Sequence, residues 1–163
     1  MKTLSKCHRE NSEQGFTLVE VLMVVFILAM LSAIVIPRVS ASSETARQNA
    51  DIATGYQTKS ALDRYQVENG IYPKSSEVTA DNDGKITATA LIPKYISKLD
   101  ADTTQQEAGT KKGFGVAALA EDGSIPDDEK TNLIMLYLTT NGSAAEVRVY
   151  NADLTKVLWS SAN

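Results

Sequence analysis

The stretch Gln14–Arg38, QGFTLVEVLMVVFILAMLSAIVIPR, decides how the rest of the chain is read. From Phe16 to Ile36 it runs for 21 residues that are nearly all apolar, and its one charge is Glu20. A helix of that length rises about 32 Å, the thickness of a bilayer core. A carboxylate within such a span costs about 2.5–3.5 kcal/mol on insertion scales, so Glu20 needs a partner or a job. Pro37 follows directly. It lacks an N–H and clashes one turn back, which predicts a kink or loosening near Ala33–Ile36.

The segment ahead of the run, MKTLSKCHRENSEQG (1–15), is polar, and Lys2, Lys6 and Arg9 outweigh Glu10 and Glu13. Basic flanks stay in the cytoplasm, so the run crosses with its N-terminal end inside. An ordinary secretory signal also begins with a basic segment and an apolar stretch. This run is longer than the usual signal core, and helix-forming sequence continues past the small residues Val39-Ser40-Ala41. The only cysteine and the only histidine, Cys7 and His8, precede Gly15. A chain that loses residues 1–15 therefore has no thiol chemistry, disulfide, His-based catalysis or Cys/His zinc site. Cys7 also stands before the apolar run, whereas a lipoprotein signal places its cysteine after it.

Downstream, SETARQNADIATGYQTKSALDRYQVENG (43–70) again reads as helix, with Ser43 as a cap if the helix restarts. Ala46, Ala50, Ala53, Ala61 and Tyr65 fall on one face, with Leu62 at its edge. Gly70 and Pro73 stop it. Residues 16–69 thus form one very long helix with a weak point, apolar all round at first and amphipathic later. An irregular connection follows, with a turn at Asp81-Asn82-Asp83-Gly84 and a short helix or turn in ALIPKYISKL (90–99). Four strand-like runs complete the chain: 113–120, 132–140, 146–152 and 156–161. Turn residues such as Asn141-Gly142 separate them. Their close spacing favours an antiparallel meander, and Glu146, Arg148 and Tyr150 alternate with Val147 and Val149 as on a strand with one wet face. Helix 45–66 is the available cover for the apolar face, so the fold class is α+β, a long N-terminal helix packed on an antiparallel sheet of 3–4 strands.

Gly15-Phe16-Thr17-Leu18-Val19-Glu20, followed by the apolar run and Pro37, resembles the class III signal of type IV pilins and type II secretion pseudopilins. The resemblance implies a pilin-like lollipop with a leader (1–15) cut after Gly15 by prepilin peptidase. It implies N-methylation of the new first residue, Phe16. It makes 16–42 the transmembrane and filament-core half of the helix and 43–163 the globular head. It also implies a helical homo-oligomeric filament, built by an assembly platform from subunits held in the cytoplasmic membrane and then displayed at the cell surface. Within it, Glu20 of one subunit meets the Phe16 amine of a neighbour, and in an apolar surround that pair sets axial register as much as it binds. Segment 69–99 is similar to the region after the long helix in pseudopilins and many Gram-positive pilins. The chain departs from family patterns in two places: no cysteine follows Gly15, and Leu99-Asp100-Ala101-Asp102 is not followed by Pro-Trp-Gly.

The family reading makes the chain a structural subunit, not an enzyme, with no cofactor. A major subunit of a surface type IV pilus for adhesion, motility or aggregation comes first. The alternatives are a pseudopilin of competence DNA uptake or of type II secretion. The 163-residue chain has net charge −4 and a pI near 5.0. Without residues 1–15 it carries 13 basic against 18 acidic side chains, which opposes direct nucleic-acid binding. A tethered enzyme lacks any paired catalytic constellation, and a non-polymerising anchored binding module forms no filaments. The acidic groups Asp81-x-Asp83-Gly84 and Asp127-Asp128-Glu129 lack calcium-loop spacing and read as solvated turns. Asn141-Gly142-Ser143 matches a glycosylation acceptor but reads as a hairpin turn. The tyrosines at 56, 65, 72, 95, 137 and 150 read as packing residues, not an aromatic ladder.

Overall fold

The computed structural model describes residues 15–120, 122–125 and 129–162. The leader residues 1–14, with Cys7 and His8, and Asp127-Asp128 of the acidic triplet lie outside them. The chain divides into two compact units, Met1–Ala41 and Ser42–Asn163.

One helix, α1 (Leu18–Asn69), runs unbroken with Pro37 inside it. It does not restart at Ser43, so that residue caps nothing. In the first unit its large apolar side chains are half or more exposed from Leu18 to Val39, as on a helix whose cover comes from lipid or from other chains. It is the one described helix long and apolar enough to cross a membrane.

In the second unit α1 ends at Gly70, whose φ of +81° closes the last turn with Gly70 N–H donating to Gln66 O (2.7 Å). The buried positions of α1 are Asp51, Gly55, Thr58, Ala61 and Leu62. Ala46 and Ala53 of the expected face are exposed and Ala50 is half-buried. The face is rotated because the sheet selects close approach over hydropathy. At Gly55 an added Cβ would lie 2.5 Å from Val149 Cγ2 and 3.2 Å from Trp159.

The sheet has the order β3 (Phe114–Ala118), β4 (Ile134–Leu138), β5 (Ala145–Tyr150), β6 (Val157–Ser160). All four expected strands form, but the sheet is mixed. β3 and β4 are parallel, with Phe114 opposite Ile134, and the other pairs are antiparallel. The cause is the connection 119–133, long enough to carry the chain back to the start of β4, whereas an antiparallel pair needs only a hairpin. β4 and β5 are joined by the expected turn at Asn141-Gly142, with Gly142 at φ +75°.

The connection after α1 is more ordered than irregular. β1 (Thr79–Ala80) and β2 (Ile86–Thr87) form a short hairpin around Asp81–Gly84, and 3-10 turns cover Ser75–Glu77, Ala101–Thr103 and Gly109–Lys111. Residues 90–99 contain a turn closed by Tyr95 N–H donating to Leu91 O (2.9 Å). The main core joins Ala61 and Leu62 of α1 to Val78, Leu91, Leu99, Phe114, Leu136 and Val149. A second cluster, Leu119, Met135, Tyr137 and Tyr150, lies on the other sheet face with Ile125 against it. The expected wet face is therefore covered: Glu146 and Tyr150 are buried. The 119–133 connection supplies Leu119 and Ile125 to do this.

Candidate assembly site at the head of the long helix

Gly15 and Phe16 precede the first turn of α1, and Phe16 is 89% exposed. Thr17 is the N-cap. Its backbone N–H donates to Glu20 Oε2 (2.8 Å) and its hydroxyl donates to the same oxygen (2.9 Å). Glu20 N–H donates back to Thr17 Oγ1 (3.3 Å). This is a reciprocal capping box: helix N-termini leave N–H groups without partners, and a Thr and a Glu three residues apart satisfy two of them. The positive end of the helix dipole adds to it. Glu20 thus has a local partner in its own chain. Sequence reasoning missed Thr17, although Thr-x-x-Glu ahead of an apolar run is the signature of this box.

Pro37 leaves the carbonyl four residues earlier without its usual donor. On either side, hydroxyls bond back to the helix: Ser32 to Leu28 O (2.7 Å) and Ser40 to Ile36 O (3.2 Å). Such back-bonding is a local cause of helix bending.

The polar groups of the second unit serve structure. Asp51, fully buried, accepts from Gln105 N–H (2.6 Å), Gln106 N–H (3.1 Å) and the Gln106 side-chain amide (3.0 Å). That amide also donates to Tyr150 O (3.0 Å), so one carboxylate ties α1, the 103–106 loop and the sheet together. Asp81 accepts from the N–H groups of Asp83 (3.0 Å) and Lys85 (2.8 Å), which employs it as a turn-former. Asp100 pairs with Lys98 (2.9 Å). Among the described residues no three His, Cys, Asp or Glu side chains group as a metal site. Glu68 accepts from Lys94 (2.6 Å) and Tyr95 (2.7 Å), and these bonds hold its carboxyl below the usual range. Burial pushes the Tyr137 phenol up, reinforced by its bond to Tyr150 (2.9 Å). The tyrosines pair locally, Tyr56 on Trp159 (4.2 Å between centroids) and Tyr65 edge-on to Tyr95 (5.6 Å).

A capped, membrane-length helix bearing one carboxylate in its first turn leads into an α+β unit, as the resemblance to type IV pilins and pseudopilins implies. Comparison with known proteins agrees. Residues 11–36 match the family model described as the prokaryotic N-terminal methylation motif. The chain is similar to the type II secretion system core protein G of Escherichia coli (strain K12), at 25% identity over 75% of this chain and 92% of that one. It is 29% identical to the Pseudomonas aeruginosa core protein G over 71% of this chain and 88% of that one. For the Klebsiella michiganensis protein the figures are 30%, 42% and 49%, so there the chain spans about half the relative's length. No solved structure gives a significant match. The motif and these relatives support the likeness to the type IV pilin and pseudopilin family.

Proposed function

We propose that the chain is a pseudopilin, the structural subunit of a secretion-type filament anchored in the cytoplasmic membrane before assembly. The observation that carries this is similarity to a type II secretion core protein G across 75% of the chain, head included, beyond the motif at residues 11–36. The balance therefore moves from the surface pilus, which the sequence alone puts first, to the secretion alternative.

In this reading prepilin peptidase cuts after Gly15 and the Phe16 amine is methylated. Residues 16–42 anchor the subunit and then pack in the filament, and 43–163 form its outer unit. The new amine is mostly cationic at neutral pH and stays so after methylation. Glu20 answers it from a neighbouring subunit, which removes an unpaired charge from an apolar surround. The assembly platform and the peptidase are the partners, and no nucleic acid is bound directly. The chemistry done on the chain belongs to the peptidase; the subunit itself is not an enzyme.

The test is deletion of the chain in its own cell. Loss of protein export with surface pili intact supports the pseudopilin. Loss of surface pili with export intact restores the pilus reading. In the same cells Glu20→Ala is expected to leave the protein in the membrane and abolish filaments in sheared fractions.

A further inference from the structure

Four arginines lie among the described residues, and three of them have partners within the chain. Arg47 pairs with Glu107, Arg64 donates to Tyr95 O (2.9 Å) and Arg148 pairs with Glu146 (2.6 Å). The fourth, Arg38, is exposed, and no hydrogen bond or ion pair among the described residues reaches it. Its place is the outer edge of the apolar run. Residues 21–37 carry no charged side chain, and their one hydroxyl, Ser32, is taken up by Leu28 O (2.7 Å). Arg38 stands 18 residues after Glu20 in the same unbroken helix. That spacing is five full turns and about 27 Å, so the two charges share one face. The separation falls slightly short of a hydrocarbon core of about 30 Å.

We propose that Arg38 is a headgroup anchor: before assembly its guanidinium binds a lipid phosphate of the outer leaflet and fixes the depth of the helix. The proposal rests on the membrane-anchored reading above. A guanidinium presents a planar fork of donors that matches two phosphate oxygens. Its apolar stem lies along hydrocarbon while the charge reaches the interface, which makes up the few ångströms by which the charge-free run is short. Lys and Arg are biased toward the cytoplasmic side, so a cation on the outer side with no acidic partner in its own chain calls for an anion there. The next charged residue is Glu44. Without Arg38 the charge-free run extends to residue 43, and its outer limit is free to slide by up to about 9 Å.

The test uses the full chain in vesicles of phosphatidylethanolamine and phosphatidylglycerol, as wild type, Arg38→Lys and Arg38→Leu. One readout is solid-state dephasing of labelled guanidinium carbon by lipid phosphorus. The other is the depth of a nitroxide at Ser42→Cys in a Cys7→Ser background, read by electron spin resonance. Wild type is expected to show dephasing, and Arg38→Lys to lose the share that belongs to this residue while keeping the wild-type depth. Arg38→Leu is expected to move the nitroxide toward hydrocarbon by several ångströms, up to about 9 Å. Equal dephasing in wild type and Arg38→Lys overturns the proposal, as does an unmoved nitroxide in Arg38→Leu. If Arg38→Leu keeps its depth but lowers the yield of sheared filaments in cells, the partner is a carboxylate of a second copy and the proposal falls. A wild-type chain that does not float with the vesicles removes the anchoring reading and the proposal with it, a result distinct from the others.

Discussion

Gly55 and Asp51 are buried positions of α1 that the apolar periodicity does not select. At Gly55 two effects oppose each other. Alanine gains up to about 1 kcal/mol of helix propensity over glycine. It also places a methyl 2.5 Å from Val149 Cγ2, an overlap that costs about 1–3 kcal/mol. Overlap wins, so Gly55→Ala is expected to lower the denaturant midpoint, measured by tryptophan fluorescence of Trp159, which packs against this site. Asp51→Ala removes the acceptor of the buried Gln106 N–H and one of the two acceptors of the Gln106 side-chain amide, which keeps Tyr150 O, while Gln105 is exposed. At about 1–3 kcal/mol for a buried unsatisfied group, the expected loss is about 1–3 kcal/mol in the same measurement. Both residues are invisible to hydropathy, one for lack of a side chain and one for its charge, which is why the sequence face centred on Ala46, Ala50 and Ala53 is rotated. Thr17 is the converse case: its signal was present as Thr-x-x-Glu, hidden because Glu20 already had an intersubunit role assigned to it.

At the scale of elements, α1 and the four strands were legible because periodicity and turn residues mark them directly. Gly70, Asn141-Gly142 and Asp81–Gly84 behave as their turn chemistry requires. The direction of β3 was not legible. Alternation of side chains is the same in parallel and antiparallel pairs, and only the path of the 119–133 connection distinguishes them. That same connection buries Tyr137 and Tyr150, so the one-sided pattern of β5 did not mean a wet face. The β1–β2 hairpin docks on β3 through two glycines. Phe114 N–H donates to Gly84 O (2.9 Å), and a Cβ on Gly113 would lie 2.4 Å from that same oxygen. Gly113 also has φ +83°. Gly113→Ala is therefore expected to cost about 1–3 kcal/mol and to speed amide exchange in residues 79–87. Pro37 is tested by Pro37→Ala. Proline is about 3 kcal/mol less favourable than alanine inside a helix, so the substitution should slow exchange around residues 33–40. An unchanged rate there contradicts a weak point at Pro37.

For the whole molecule, pH acts through groups of the second unit. The Tyr137 phenol is raised above its ordinary value by burial and by Tyr150. A group raised on folding contributes stability that is complete below its unfolded pKa and is lost as pH rises. The loss here begins near pH 10, about where a free phenol ionises. Tyr137→Phe should flatten the alkaline limb of a stability–pH curve measured by urea unfolding. Glu68 has the opposite sign. Its carboxyl is lowered, so its contribution is present above about pH 4 and fades as pH falls through the folded value. Because it is exposed, that acid limb should be shallow and salt-sensitive. The second unit holds its own core, while among the described residues the large apolar side chains from Leu18 to Val39 are half or more exposed. Under the proposed function, lipid covers this helix before assembly and copies of the chain cover it afterwards. The measurement that tests this most directly is the mass of the N-terminus on protein taken from cells with an active prepilin peptidase. The expected product is a chain beginning at Phe16 and carrying one added methyl group. A chain beginning at Met1, or cut beyond Ile36, contradicts it.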